Sequence, residues 1–229
     1  MINLREGKAM KKALLIVSMC LMFGTMGGRA EESAKKDVSV YRVPWVCPAA
    51  VQIGCGSHAK PILLELEQNP GVSEAWLNRH GTAVAVVWKA DAKRKARSDA
   101  EKTLKEQKGA KLTGKERTKV LADFESGKDW YRGAEVDRLS EEEAGVIAAR
   151  WVRRLEAKTT LSKEKADGLR EALTDGLKKC LTGKMEMPET EDEKMLALGK
   201  VARPFLEDKQ IELLAEAAGS GMRALPNEE

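Results

Sequence analysis

The chain has 229 residues, 33% of them charged and only 4% aromatic, with hydrophobic residues at an ordinary 42%. That is chain enough for one large domain or two small ones, and the composition suits a helix-rich globular protein. Five basic residues (Arg5, Lys8, Lys11, Lys12, Arg29) against Glu6 account for the whole +4, leaving 35 basic and 35 acidic residues after position 30, so net charge gives no argument for a nucleic-acid partner and none is expected.

Residues 1–30 have the layout of a secretory signal peptide: lysines, an apolar run from Ala13 to Phe23, and Gly28-Arg29-Ala30 at the cleavage position. The run is too short to span a bilayer comfortably, so no stable membrane span is expected after cleavage. The expected location is periplasmic or secreted. A lipid anchor at Cys20 is the alternative, disfavoured by the bulky Met19 before it. Three cysteines remain after cleavage, Cys47, Cys55 and Cys180, which allows one internal bridge and one leftover thiol in an oxidising compartment.

Alternation from Val38 through Val40 and Arg42 towards Val46 predicts the first strand. The loop CPAAVQIGCG follows, with Cys47 and Cys55 at its ends. Ser57 is an expected N-cap for a helix carrying Ile62, Leu63 and Leu66, which Asn69-Pro70-Gly71 stops; Pro61 fits if it lies in the first turn. Residues 72–77 and 82–88 predict two strands joined by the Asn78-Arg79-His80-Gly81 hairpin, with one heavily apolar face on VAVVW. Residues 90–112 read as a charged helical insertion, with a narrow stripe of Ala92, Ala96, Ala100 and Leu104. Lys89 to Lys119 carries twelve basic and five acidic residues, read as a solvated face.

Thr113 with Glu116 predicts a capping box for a short helix bearing Val120, Leu121 and Phe124, and residues 129–139 predict a further strand with a bend at Gly133. The expected fold is therefore α+β. An N-terminal ferredoxin-like βαββαβ domain over 37–139 is followed by a helical domain over 140–229. In the latter, Ser140 and Glu143 predict a capping box ahead of Ala144, Ile147, Ala148, Trp151, Val152 and Leu155. Ser162 caps a second helix whose apolar stripe ends at Cys180, a thiol expected to be buried and inert. A polar linker around Pro188 and one or two final helices complete an antiparallel hairpin or small bundle. Trp130, Tyr131 and Trp151 are expected in the core.

The chemistry-bearing residues are concentrated at Cys47, Cys55 and His58. The predicted loop hands Cys47 to the surface and Cys55 to the first helical turn, where unpaired N–H groups and the helix dipole favour thiolate. Two such thiolates suit a soft metal ion, copper, zinc or mercury, with His58 as a third ligand. A structural Cys47–Cys55 disulfide is the competing expectation. Met185, Met187 and Met195 invite a thioether copper site, but no Met-x-x-Met or histidine cluster accompanies them.

The stretch from Val46 to Trp88, with its PxVCPAAxxIGCGSxxKP motif, the Pro70-Gly71-Val72 helix exit and the Gly81-Thr82 turn into VAVVW, resembles the heavy-metal-associated domain of periplasmic mercury-binding proteins and copper chaperones. The resemblance implies a ferredoxin-like fold with Cys47 and Cys55 as metal ligands. It departs from the family in placing seven residues between the cysteines where the family has two. No nucleophile elbow, metalloprotease motif or phosphate loop is present, so an enzyme is not expected. The expected function is an exported protein that binds or hands on a soft metal, with a possible protein partner met by the helices. The alternative is a non-catalytic interaction or structural module.

Overall fold

The computed structural model describes residues 36–226, Met187 excepted. The signal-peptide residues, their cleavage position and Cys20 lie outside the described residues. The fold is α+β. Its strands are β1 (Val38–Arg42), β2 (Val72–Asn78), β3 (Ala83–Trp88), β4 (Ala110–Lys111) and β5 (Trp130–Arg132). Its helices are α1 (Gly56–Gln68), α2 (Arg94–Glu106), α3 (Gly114–Glu125), α4 (Asp137–Glu156), α5 (Lys163–Leu181), α6 (Glu191–Ala202) and α7 (Asp208–Gly219). The strands form one antiparallel sheet in the order β4-β1-β3-β2-β5.

β3 organises the sheet. All six of its residues are buried, because its two neighbours occupy both edges and helices cover both faces. Val40 and Trp76 flank Ala85 on one face, where Val38, Val87 and Leu112 join Val120, Leu121 and Phe124 of α3. Phe124 meets Trp76 and Trp130 edge-on, at centroid distances of 6.1 and 5.1 Å. On the other face, Tyr41, Val84, Val86, Ala75 and Leu77 pack under Ala59, Ile62, Leu63 and Leu66 of α1, and that core runs on without a break into α4, α5 and α7. The expectation of a single apolar face on VAVVW thus gives way to a sheet buried on both sides, which explains why alternate positions of β3 are equally apolar.

The narrow stripe expected on the charged segment is real: Ala96, Ala100 and Leu104 are the buried residues of α2, and the rest of that helix is solvated. Other expectations are corrected. Of residues 129–139 only Trp130–Arg132 is strand, and it pairs with β2 at the opposite edge from β4. The chain leaves the strand at Gly133, which takes φ +48° and begins a 3-10 turn that feeds α4 at Asp137. The edge beside β1 is filled instead by the two-residue β4, too short to show a periodicity. The capping boxes at Thr113 and Ser140 also do not form: Glu116 accepts from Arg42 (2.6 Å to Oε2), while Ser140 and Glu143 lie inside α4. Ser57 is likewise inside α1, whose N-cap is Cys55, so Pro61 falls in the second turn rather than the first. Ser162 caps α5 as expected, accepting from the Lys165 N–H at 3.3 Å.

In the helical end α4 packs on α5 and α7, and α6 contacts both α5 and α7. Among the described residues no helix is long and apolar enough to cross a membrane.

Candidate functional site

After β1 the chain stays extended, with Val43 and Trp45 N–H donating to the carbonyls of Thr82 and Gly81 (2.9 Å each). Gly81 adopts φ +68°, and a Cβ there would lie 2.3 Å from the Trp45 carbonyl oxygen, so the hairpin end and the cysteine segment touch backbone to backbone. The residues between the thiols then fold as a small ribbon. Val46 pairs with Gly54, the Cys47 N–H donates to Ile53 (2.8 Å), and the Cys55 N–H donates to Trp45 (2.8 Å). In this register Cys47 stands opposite Ile53 and Cys55 opposite Trp45. The two cysteines are therefore diagonal neighbours, and both are free thiols. The expected Cys47–Cys55 bridge is not formed, for the reason that neither cysteine faces the other across the ladder.

Cys47 is sealed from solvent, at 0% exposure, which corrects the expectation that the loop carries it to the surface. Its sulfur accepts the Ala49 N–H at 3.3 Å, and the buried Glu143 carboxyl of α4 lies close enough to act on the thiol. Burial, then the nearby Glu143 charge and hydrogen bond, push this thiol up to about 12. At neutral pH Cys47 is a neutral thiol, not one of the two thiolates expected to converge on a metal. Glu143 is itself 5% exposed and is pushed above the ordinary carboxylate value by burial, against the lowering effect of the Cys47 hydrogen bond.

Cys55 is half-buried with its sulfur 3.4 Å from Ser57 Oγ, and His58 is exposed, its ring edge-on to Trp45 at 5.6 Å. Thus Cys47 faces α4 and His58 lies on the outer surface over Trp45. Among the described residues no group of three or more His, Cys, Asp or Glu side chains is arranged to hold a metal ion. As the ribbon is folded, Cys47, Cys55 and His58 do not form such a group. Thiolate ligation by Cys47 needs a proton removed from a buried thiol beside Glu143.

The N-terminus of α1 is held against α4. A Cβ at Gly56 would lie 2.4 Å from the Val136 carbonyl oxygen and 2.5 Å from Ser140 Oγ. Lys60 anchors the same junction, donating to Asp137 (2.8 Å) and to the Thr182 carbonyl (3.3 Å). Further along α4, Arg150 Nη1 donates to the Ala49 carbonyl (2.9 Å) and to the Met222 carbonyl. Arg154 donates to the carbonyls of Ala217 (3.2 Å), Gly221 (2.7 Å) and Arg223 (2.7 Å), and the Trp151 indole N–H to Gly221 (3.3 Å). Two arginines one helical turn apart, with the Trp151 indole between them, fix the end of α7 and the chain beyond it.

That clamp makes one wall of a cleft of about 400 Å³ between α5, the connection after it, α6 and the end of α7. Trp151 and Leu173 line it, and Gly176 of α5 opens it: a Cβ there would meet only Val201, at 3.9 Å. Its walls carry Cys180, Met185, Met195 and Met222. Cys180 is thus half-exposed in a cleft rather than buried in a helix interface, with its sulfur 3.9 Å from the Glu186 carbonyl and its thiol raised by partial burial. The signal in the sequence was the methionine distribution. Of nine methionines five precede residue 30, and the other four are Met185, Met187, Met195 and Met222. Met187 lies outside the described residues; Met222 is held beside the others by the Arg150 and Arg154 contacts to the chain after α7.

No family model, curated protein or solved structure matches this chain.

Proposed function

We propose that this chain is an exported, non-catalytic binding protein that takes its ligand in the sulfur- and alkyl-lined cleft of its helical end. The carrying observation is the cleft itself: about 400 Å³, within the range of small-ligand sites, walled by Leu, Ala and Met side chains and left open by a glycine in the middle of α5. A glycine in a helix interior is unfavourable by about 1 kcal/mol relative to alanine, so its presence where it widens a cavity favours a site over a packing defect. Flexible thioethers at the rim are suited to adapting to a bound group.

The sheet belongs to the same reading. Its β4-β1-β3-β2 portion, antiparallel throughout, with α1 and α2 as the crossovers, supports a ferredoxin-like scaffold to which β5, α3 and the C-terminal helices are added. On that scaffold the lengthened cysteine loop serves as packing. Cys47 joins the core and, through Glu143 and the Ala49–Arg150 contact, ties the loop to α4. Export rests on the charged, apolar and small-residue pattern of the first thirty residues.

The test is titration with an environment-sensitive anilinonaphthalene probe, read by fluorescence, on the native protein and on Gly176→Leu, whose side chain fills the cleft. Saturable binding that Gly176→Leu abolishes, with an unchanged circular dichroism spectrum, is expected. Equal binding by both proteins, or none by the native one, overturns the proposal.

A further inference from the structure

Resting on the cleft as the binding site, we infer that its ligand is a single soft monovalent metal ion, Cu(I), held by the sulfur of Cys180 and the thioethers of Met185, Met195 and Met222. These four sulfur-bearing residues line one cleft from four separate segments: the last turn of α5, the connection after it, α6 and the chain beyond α7. From residue 31 to residue 184 the chain uses no methionine at all, building its core from Val, Leu, Ile, Ala and Trp. Methionine is therefore placed here and not used as general filler. Met185 and Met195 are also 46% and 41% exposed, which core filler would not be.

A donor set of one thiolate and three uncharged thioethers suits Cu(I): zinc takes thiolates but completes its site with further thiolates, imidazoles or carboxylates, and calcium and magnesium look for oxygen. Among the described residues that line the cleft there is no histidine, aspartate or glutamate, and Lys194 stands at its edge. Thioethers carry no proton and no charge, so three of the four donors are ready without ionisation. Coordination by Cys180 replaces its S–H bond with an S–Cu bond and releases that proton to solvent, with no change in oxidation state. Each methionine has three rotatable bonds, which lets its sulfur close on an ion from the wall of a cleft of this size. Cys180 is a free thiol, and Cys47, behind Glu143, is in no position to oxidise with it.

The experiment is an anaerobic competition of the reduced protein with a chromophoric Cu(I) chelator. The variants are Met185→Leu/Met195→Leu/Met222→Leu (shape kept, sulfur removed), Cys180→Ser and Cys55→Ser. The native protein is expected to take one equivalent. The triple leucine variant is expected to lose affinity on the order of a hundredfold or more, Cys180→Ser at least about tenfold, and Cys55→Ser none. The native protein and Cys55→Ser, which leaves the cleft lining untouched, should both bind the anilinonaphthalene probe. If the triple variant does not fold, the methionine methyl signals of the native protein, labelled with carbon-13, report instead: those of Met185, Met195 and Met222 should shift at one equivalent. Probe binding without Cu(I) uptake overturns the metal and leaves the cleft as a binding site. Neither binding overturns both. Cu(I) uptake lost only in Cys55→Ser, or unmoved methyl signals, places the metal elsewhere and overturns the inference.

Discussion

Cys47→Ser isolates the effect of a single buried thiol on the stability of the whole protein. Serine keeps an O–H donor for Glu143 but does not ionise in the range where cysteine does. In the folded protein the Cys47 thiol is held at about 12 against an ordinary value of 9.0. Between those values the unfolded chain has lost the proton and the folded chain has kept it, so stability falls as pH rises. The contribution is fully present below the lower value and gone above the upper one. Each pH unit within the window is worth about 1.4 kcal/mol, so the native protein should lose about 3 kcal/mol relative to Cys47→Ser between roughly pH 9 and 11. Tyr41, whose hydroxyl is raised by burial and by Glu101, contributes equally in both proteins and cancels. The assay is urea unfolding under reducing conditions at a series of pH values, read as the difference between the two proteins. Parallel curves from about pH 8 to 11 would refute the sealed thiol, whatever constant offset the substitution introduces.

Glu143→Gln keeps an acceptor for the Cys47 thiol and removes a carboxylate that burial raises. The native protein loses stability as pH climbs above the ordinary carboxylate range and the variant does not, so denaturation from about pH 4 to 7 should show a flatter profile in Glu143→Gln. Gly56→Ala places a methyl against the Val136 carbonyl and Ser140 and should destabilise by about 1–3 kcal/mol in urea, through the α1–α4 junction. Arg154→Met removes donors to three carbonyls beyond and within the end of α7. It should cost about 2–4 kcal/mol and expose the segment after residue 219 to limited proteolysis, seen by mass spectrometry; an equally resistant tail would contradict the clamp.

Local pattern was enough for the elements whose signals are local. The Asn78–Gly81 hairpin, the α1 stripe, the sparse Ala96-Ala100-Leu104 edge of α2 and the Ser162 cap are all written in neighbouring residues. Failures came where a distant contact outbids a local one. Ser140 and Glu143 have capping-box spacing, but the 3-10 turn from Gly133 starts the helix earlier and Glu143 turns to a cysteine far away in sequence. β4 is two residues long and exists because the edge of β1 is free to receive it. At the site, the thiols were legible as residues but their directions were not, since a register of one ribbon decides which way Cys47 points. The cleft was half legible: its methionines stand out by position, while Met222 enters it through a tertiary clamp that no periodicity announces.

The most direct test of where this protein binds is alkylation of its three cysteines in the native state, with and without one equivalent of silver ion as a redox-inert substitute for Cu(I), quantified by peptide mass spectrometry. Cys55 and Cys180 should react without metal and Cys47 should not; metal should then protect Cys180 alone. Protection of Cys47 and Cys55 with Cys180 still reactive would contradict the account and return the chemistry to the ribbon.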